Sequence, residues 1–105
     1  MVVTFGKEYL CELYEKGIST DKKHRYQPDI IRRYQKCINY LIVSPSIDVL
    51  RTINSLNYET LKGDKLGISS IRVNNKYRIE FTIRDSAEEP IVTICNILEL
   101  SNHYK

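Results

Sequence analysis

Apolar residues recur along this chain with two different periods, and the change of period divides it. Val2 to Phe5 is a short, β-branched apolar run that suits a first strand. Between Lys7 and Lys16 the apolar positions Tyr9, Leu10, Leu13 and Tyr14 keep helical spacing, which Gly17 ends. Ser19 to Tyr26 is polar and basic and reads as a loop. Pro28 and Asp29 then open a second helix, since proline loses nothing in a first turn and a carboxylate suits the positive end of the helix dipole. Ile30, Tyr34, Cys37, Ile38, Leu41 and Ile42 fall on one face of it, with Arg32, Arg33, Lys36 and Asn39 on the other. Ser44-Pro45 breaks that pattern, and Ile47, Leu50 and Ile53 predict a shorter third helix through Asn54.

From Ile68 the period becomes two. Ile71 and Val73 alternate with Arg72 and Asn74, and Tyr77, Ile79, Phe81 and Ile83 alternate with Arg78, Glu80, Thr82 and Arg84. Residues directly opposite each other in an antiparallel pair share a face of the sheet. A two-residue turn at Asn74-Asn75 would set Ile71 opposite Arg78, whereas a turn over Asn74 to Lys76 pairs Val73 with Tyr77, Ile71 with Ile79 and Arg72 with Arg78. Only the longer turn keeps an unmixed apolar face, and it predicts a left-handed asparagine in the turn. Ile91 to Leu100 is apolar enough for a last strand buried on both faces. The predicted fold is α+β: a small antiparallel meander sheet packed against N-terminal helices.

Neither repeats nor Pro/Gly-rich linkers interrupt the 105 residues, so residues 1–105 are expected to form a single domain. No apolar run reaches the ~20 residues of a membrane span, and Met1 to Phe5 lacks a basic leader, which predicts a cytoplasmic protein with no membrane partner. A net charge of +3 permits a nucleic-acid partner without requiring one. Its distribution is more telling. Lys22, Lys23, Arg25, Arg32, Arg33 and Lys36 crowd one stretch, and Lys62, Lys65, Arg72, Lys76, Arg78 and Arg84 another. Cys11, Cys37 and Cys95 are odd in number and far apart, without metal-ligand spacing, and read as reduced thiols with no metal site.

The candidate chemistry lies in the second half. Glu59 and Lys62 in Tyr58-Glu59-Thr60-Leu61-Lys62-Gly63-Asp64, Arg72 and Arg78 on adjacent strands, and His103-Tyr104 at the end supply a carboxylate, three cations, an imidazole and a phenol. Such a set suffices for proton transfer and phosphate stabilisation without a metal or other cofactor. Arg72 and Arg78 are predicted to stand opposite each other on the solvent face, where they repel by roughly 1 kcal/mol at ~4 Å in water. A phosphate between them would reverse that repulsion. The plain alternative is a solvated basic pair neutralised by Glu80 or Glu59. Glu59 could equally be a surface carboxylate paired with Lys62, Lys62 a turn decoration, and His103-Tyr104 a frayed tail.

Together, Leu61-Lys62-Gly63-Asp64 and Gly67-Ile68-Ser69-Ser70-Ile71-Arg72-Val73-Asn74-Asn75-Lys76-Tyr77-Arg78-Ile79-Glu80-Phe81 resemble the RelE/ParE superfamily of type II toxin–antitoxin toxins, and within it the HigB-like branch. The shared pattern is a Leu-Lys-Gly-Asp loop, a Gly-x-x-Ser lead into a strand, a turn, and Arg-Ile-x-Phe on the next strand. The resemblance implies a RelE-like microbial RNase-type fold and a ribosome-dependent, metal-independent mRNA endoribonuclease. It also implies mRNA on the ribosome and ribosomal RNA as partners, with silencing by a helix-turn-helix, HigA-like antitoxin. Lys62 and Arg78 match the residues that hold the scissile phosphate; apart from the resemblance, Arg72, Lys65 and Lys76 are expected to be further RNA or phosphate contacts. Glu59 falls where YoeB toxins carry a general-base glutamate, and His103-Tyr104 resembles the end of YoeB-like tails. ParE-like relatives, which poison DNA gyrase without nuclease activity, are the alternative reading.

Overall fold

A computed structural model of the chain describes residues 1–102. The elements follow the order β1 (Val2–Phe5), α1 (Glu8–Lys16), α2 (Pro28–Val43), α3 (Ile47–Arg51), β2 (Glu59–Thr60), β3 (Ser69–Arg72), β4 (Tyr77–Asp85) and β5 (Thr93–Asn102). Gly17 ends α1 with φ 70°, and Pro28 occupies the first turn of α2, as their positions predict. The third helix stops earlier than expected, at Arg51, and Asn54–Leu56 forms a separate 3₁₀ turn. Ser46 starts α3, its Oγ accepting a hydrogen bond from Val49 N–H at 3.2 Å.

The five strands form one sheet in the order β1-β5-β4-β3-β2. β3 through β5 run antiparallel, as the meander predicts, and the unpredicted β2 joins them antiparallel to β3, but β1 lies parallel to β5, with Val2 opposite Ile94 and Phe5 opposite Ile97. The sheet is therefore mixed. Short turns impose antiparallel pairing on β2 to β5, whereas β1 and β5 meet across both long helices, and no local signal sets their direction.

Helices α1 and α2 cover one face. Leu10, Leu13, Tyr34, Ile38 and Leu41 pack there with Ile71, Ile79, Phe81, Cys95 and Ile97, all fully buried. Tyr34 Oη donates to Leu10 O at 2.7 Å and joins the two helices inside that core. Ile42, placed by its spacing on the apolar face of α2, is instead 41% exposed, one residue from the helix end at Val43. β5 buries Cys95, Ile97 and Leu100 on the helix side and leaves Ile94 and Leu98 half-buried, so only one of its faces is core. Ile91 and Val92 precede the strand and are exposed, because pairing begins at Asp85 opposite Thr93. Replacing Phe81 by alanine is expected to cost about 3–5 kcal/mol, read as a lower urea midpoint at unchanged m-value.

The β3–β4 register matches the three-residue turn. Ile71 faces Ile79 and Arg72 faces Arg78, and Val73 N–H donates to Tyr77 O at 2.9 Å. The turn is made differently from expectation. No residue of Asn74 to Lys76 has positive φ; instead Asn74 Oδ1 accepts from Lys76 N–H and Tyr77 N–H, both at 2.8 Å. The asparagine side chain, not a left-handed backbone, closes this turn.

Candidate functional site

The sheet face opposite the helices carries the polar residues of β3 and β4, with Arg72 directly across from Arg78. That face is not open to solvent around Arg78, contrary to the alternation-based expectation: Arg78 is 6% exposed and Glu80 8%. The connection from the 3₁₀ turn through β2 to Leu66 folds over them. Gly63 (φ 65°) and Gly67 (φ 89°) bend this segment back through left-handed backbone. Leu61 N–H donates to Ile68 O at 2.8 Å, which seats β2 beside β3 with Glu59 opposite Ser70. The two-residue strand has no periodic signature, so its pairing was not legible in the sequence.

The Arg78 guanidinium is fixed by groups that the sequence did not single out. Its Nε donates to Ser70 Oγ at 2.8 Å, and its Nη2 donates to Asn57 O at 2.6 Å and to Ser70 O at 3.3 Å. Ser70, 1% exposed, sits diagonally across the strand pair from Arg78, within reach of a long side chain. Alternation held that signal, since Ser70 shares a face with Arg72. Asn57 lies at the end of the 3₁₀ turn with φ 43°, and is the one non-glycine residue of positive φ among the described residues. Asparagine tolerates this conformation better than most residues. The sequence marks Asn57 as a turn former but does not say where its carbonyl points.

Glu59 approaches the same guanidinium, with Oε2 at 3.7 Å from Arg78 Nη2 and its side chain 47% exposed. That separation exceeds a charge-assisted hydrogen bond, so the pair is an electrostatic contact with the carboxylate on the solvent side. A buried, permanently charged fork beside a half-exposed carboxylate can hold an anionic group and accept a proton next to it.

The remaining candidates are placed as follows. The Arg72 guanidinium donates to Asn75 Oδ1 within its own turn. Lys65 Nζ lies 3.0 and 2.8 Å from the two Glu80 carboxylate oxygens, and this hydrogen-bonded carboxylate raises the ammonium pKa. Lys65 therefore neutralises a nearly buried acid rather than standing alone. Lys62 and Lys76 are exposed, the first just before the 3₁₀ turn Gly63–Lys65 and the second in the β3–β4 turn. His103 and Tyr104 lie outside the described residues. His24 stacks on Tyr9 with ring centroids 3.7 Å apart and pairs through Nδ1 with Asp21 at 2.9 Å. It stands on the helical side of the fold, in the loop between α1 and α2.

Burial pushes the Cys37 and Cys95 thiols up to about 11, and a hydrogen bond to Glu15 raises that of Cys11. No helix among the described residues is long and apolar enough to cross a membrane.

A family model described as the RelE-like toxin of the type II toxin–antitoxin system HigB matches residues 3–93. Among solved structures the chain is similar to a YoeB/ParE toxin from Agrobacterium tumefaciens, at 20% identity and a TM-score of 0.55, covering 99% of this chain and 100% of that one. It is also similar to a chain of the YoeB–YefM complex from Staphylococcus aureus, at 16% identity and a TM-score of 0.53, covering 99% and 98%. At these identities the likeness is one of fold. No curated protein matches the sequence.

Proposed function

The chain belongs to the RelE-like HigB toxins of type II toxin–antitoxin systems, and from that premise we propose that it is a cytoplasmic, metal-independent endoribonuclease that cuts mRNA on the ribosome. The observation that carries this reading is the anchored Arg78 fork beside the half-exposed Glu59 carboxylate, 3.7 Å apart on one sheet face. Glu59 takes the proton from a ribose 2′-hydroxyl, and the resulting oxygen attacks the adjacent phosphorus. Arg78, aided by Arg72 and Lys62, stabilises the charge that develops on the phosphoryl oxygens. The bond to the 5′-oxygen breaks, and His103 protonates that leaving group while Tyr104 orients the substrate. The products are a 2′,3′-cyclic phosphate and a 5′-hydroxyl. Lys76 adds charge along the RNA backbone, and Lys65, already paired with Glu80, contacts it as part of that ion pair. Silencing falls to a HigA-like, helix-turn-helix antitoxin.

The test is mRNA cleavage in a reconstituted translation reaction, with primer extension to map the cut ends and isolated RNA as the comparison. Ribosome-dependent cuts are expected. Replacing His103 by alanine is expected to slow cleavage by ~10²-fold or more, since a general acid typically contributes that much. Intact mRNA together with gyrase-dependent DNA damage would identify a ParE-like poison instead.

A further inference from the structure

A second basic site lies beside the first, around the sheet edge. β2 pairs only with Ser69 and Ser70, so beyond Ser70 the outer edge of β3 carries no strand among the described residues. A cleft of about 290 Å³ opens there, lined chiefly by Arg33, Lys36 and Tyr40 of α2, Ser55 of the 3₁₀ turn, and Arg72 of β3. Its floor is tied down where the Cys37 Sγ–H donates to Arg72 O at 3.5 Å. Arg33 and Lys36 stand at i and i+3 on α2, hence on one rim of the helix. Lys36 Nζ lies 5.9 Å from the centre of the Tyr40 ring. No carboxylate lines the cleft, although the chain as a whole has 13 acidic residues to 16 basic ones.

Three cations around a polar hollow, with no acid among them, make a site for an anion rather than for an apolar segment. A half-buried tyrosine on the same rim adds a face on which a base can stack. Arg72 joins this cleft to the proposed catalytic face, being both a lining residue and the cross-strand partner of Arg78. We infer that the cleft binds a phosphate, and the adjoining base, of single-stranded RNA flanking the nucleotide held at Arg78 and Glu59. This assignment rests on the nuclease reading for its direction, because it makes the two sites parts of one RNA path. It gives α2 a role in substrate binding in addition to packing.

The test is binding of a labelled oligouridylate of about 12 nucleotides, within the usual site size for single strands, by fluorescence anisotropy over a range of salt. The protein carrying both Arg33→Ala and Lys36→Ala is compared with wild type and with a Lys22→Ala/Lys23→Ala protein that loses the same charge in the α1–α2 loop. Circular dichroism checks that all three are folded. Losing the one phosphate site is expected to reduce the slope of log K against log salt by ~0.7, or roughly 5-fold in affinity at about 0.1 M salt. The loop variant should change far less.

Equal weakening in both double variants would overturn the inference, since binding would then follow net charge alone. Unchanged slope in the Arg33/Lys36 variant, or no binding by wild type, would overturn it as well. A loss confined to co-sedimentation with empty ribosomes, with oligouridylate binding intact, would overturn it in favour of a ribosomal RNA contact. The readout needs no cleavage. A protein that cuts no mRNA but shows the slope change loses the nuclease reading and keeps the cleft; one that cuts mRNA with an unchanged slope does the reverse.

Discussion

Replacing Arg78 by alanine is expected to lower ribosome-dependent mRNA cleavage by about 10²–10³-fold, the usual consequence of removing one preorganised donor from a developing oxyanion. The same change strikes the fold. Arg78 is 6% exposed, and its loss leaves Asn57 O and Ser70 Oγ without their donor beside a void. An unsatisfied buried acceptor costs about 1–3 kcal/mol, and for a domain of this size each kcal/mol lowers Tm by roughly 4–8 °C. Activity and thermal unfolding must therefore be measured on the same preparation, well below the lowered Tm. Arg78→Lys separates the two effects. A lysine keeps the charge but cannot address Ser70 and Asn57 together, so it should recover part of the Tm and little of the rate. Near wild-type cleavage by Arg78→Ala would remove Arg78 from the chemistry and leave it a structural residue.

Glu59→Gln is expected to show the opposite balance. The Glu59 side chain is 47% exposed and its contact with Arg78 is 3.7 Å long, a geometry whose contribution to stability is at most ~1 kcal/mol. The unfolding midpoint should barely move. Cleavage should fall by ~10²–10⁴-fold if the carboxylate is the general base, because the amide cannot accept the ribose proton. A selective loss of rate at intact stability marks a residue that acts on substrate. Cleavage within a few-fold of wild type would mean that another group takes the proton, and would turn the Arg78–Glu59 contact into a plain surface ion pair.

The core was legible because its signal is local. Helical spacing marked Tyr9, Leu10, Leu13, Ile30, Tyr34, Cys37, Ile38 and Leu41, which are buried, and also Tyr14, which is half-buried, and Ile42, which is exposed. Alternation marked Ile71, Ile79 and Phe81, and also set Arg72 opposite Arg78. Each of these follows from which face a side chain takes within one element or one short hairpin. The same reasoning misjudged the polar face. Alternation says which side of a sheet a residue occupies, but not what else folds onto that side. Here the segment from Asn57 to Leu66 does so, and it makes Arg78 and Glu80 buried groups with defined partners.

By itself the sequence determined the helices, the meander, the apolar face and the Arg72–Arg78 pairing, since nearest-neighbour sterics and period decide each of these. The tertiary structure alone decided the parallel seating of β1 on β5, the aim of the Asn57 carbonyl, the Ser70 anchor and the Lys65–Glu80 pair. The physical reason is distance along the chain. Asn57 and Arg78 are 21 positions apart, and Val2 and Ile94 are further apart still. Whether such groups meet depends on how the loops between them close, a property that no periodicity encodes.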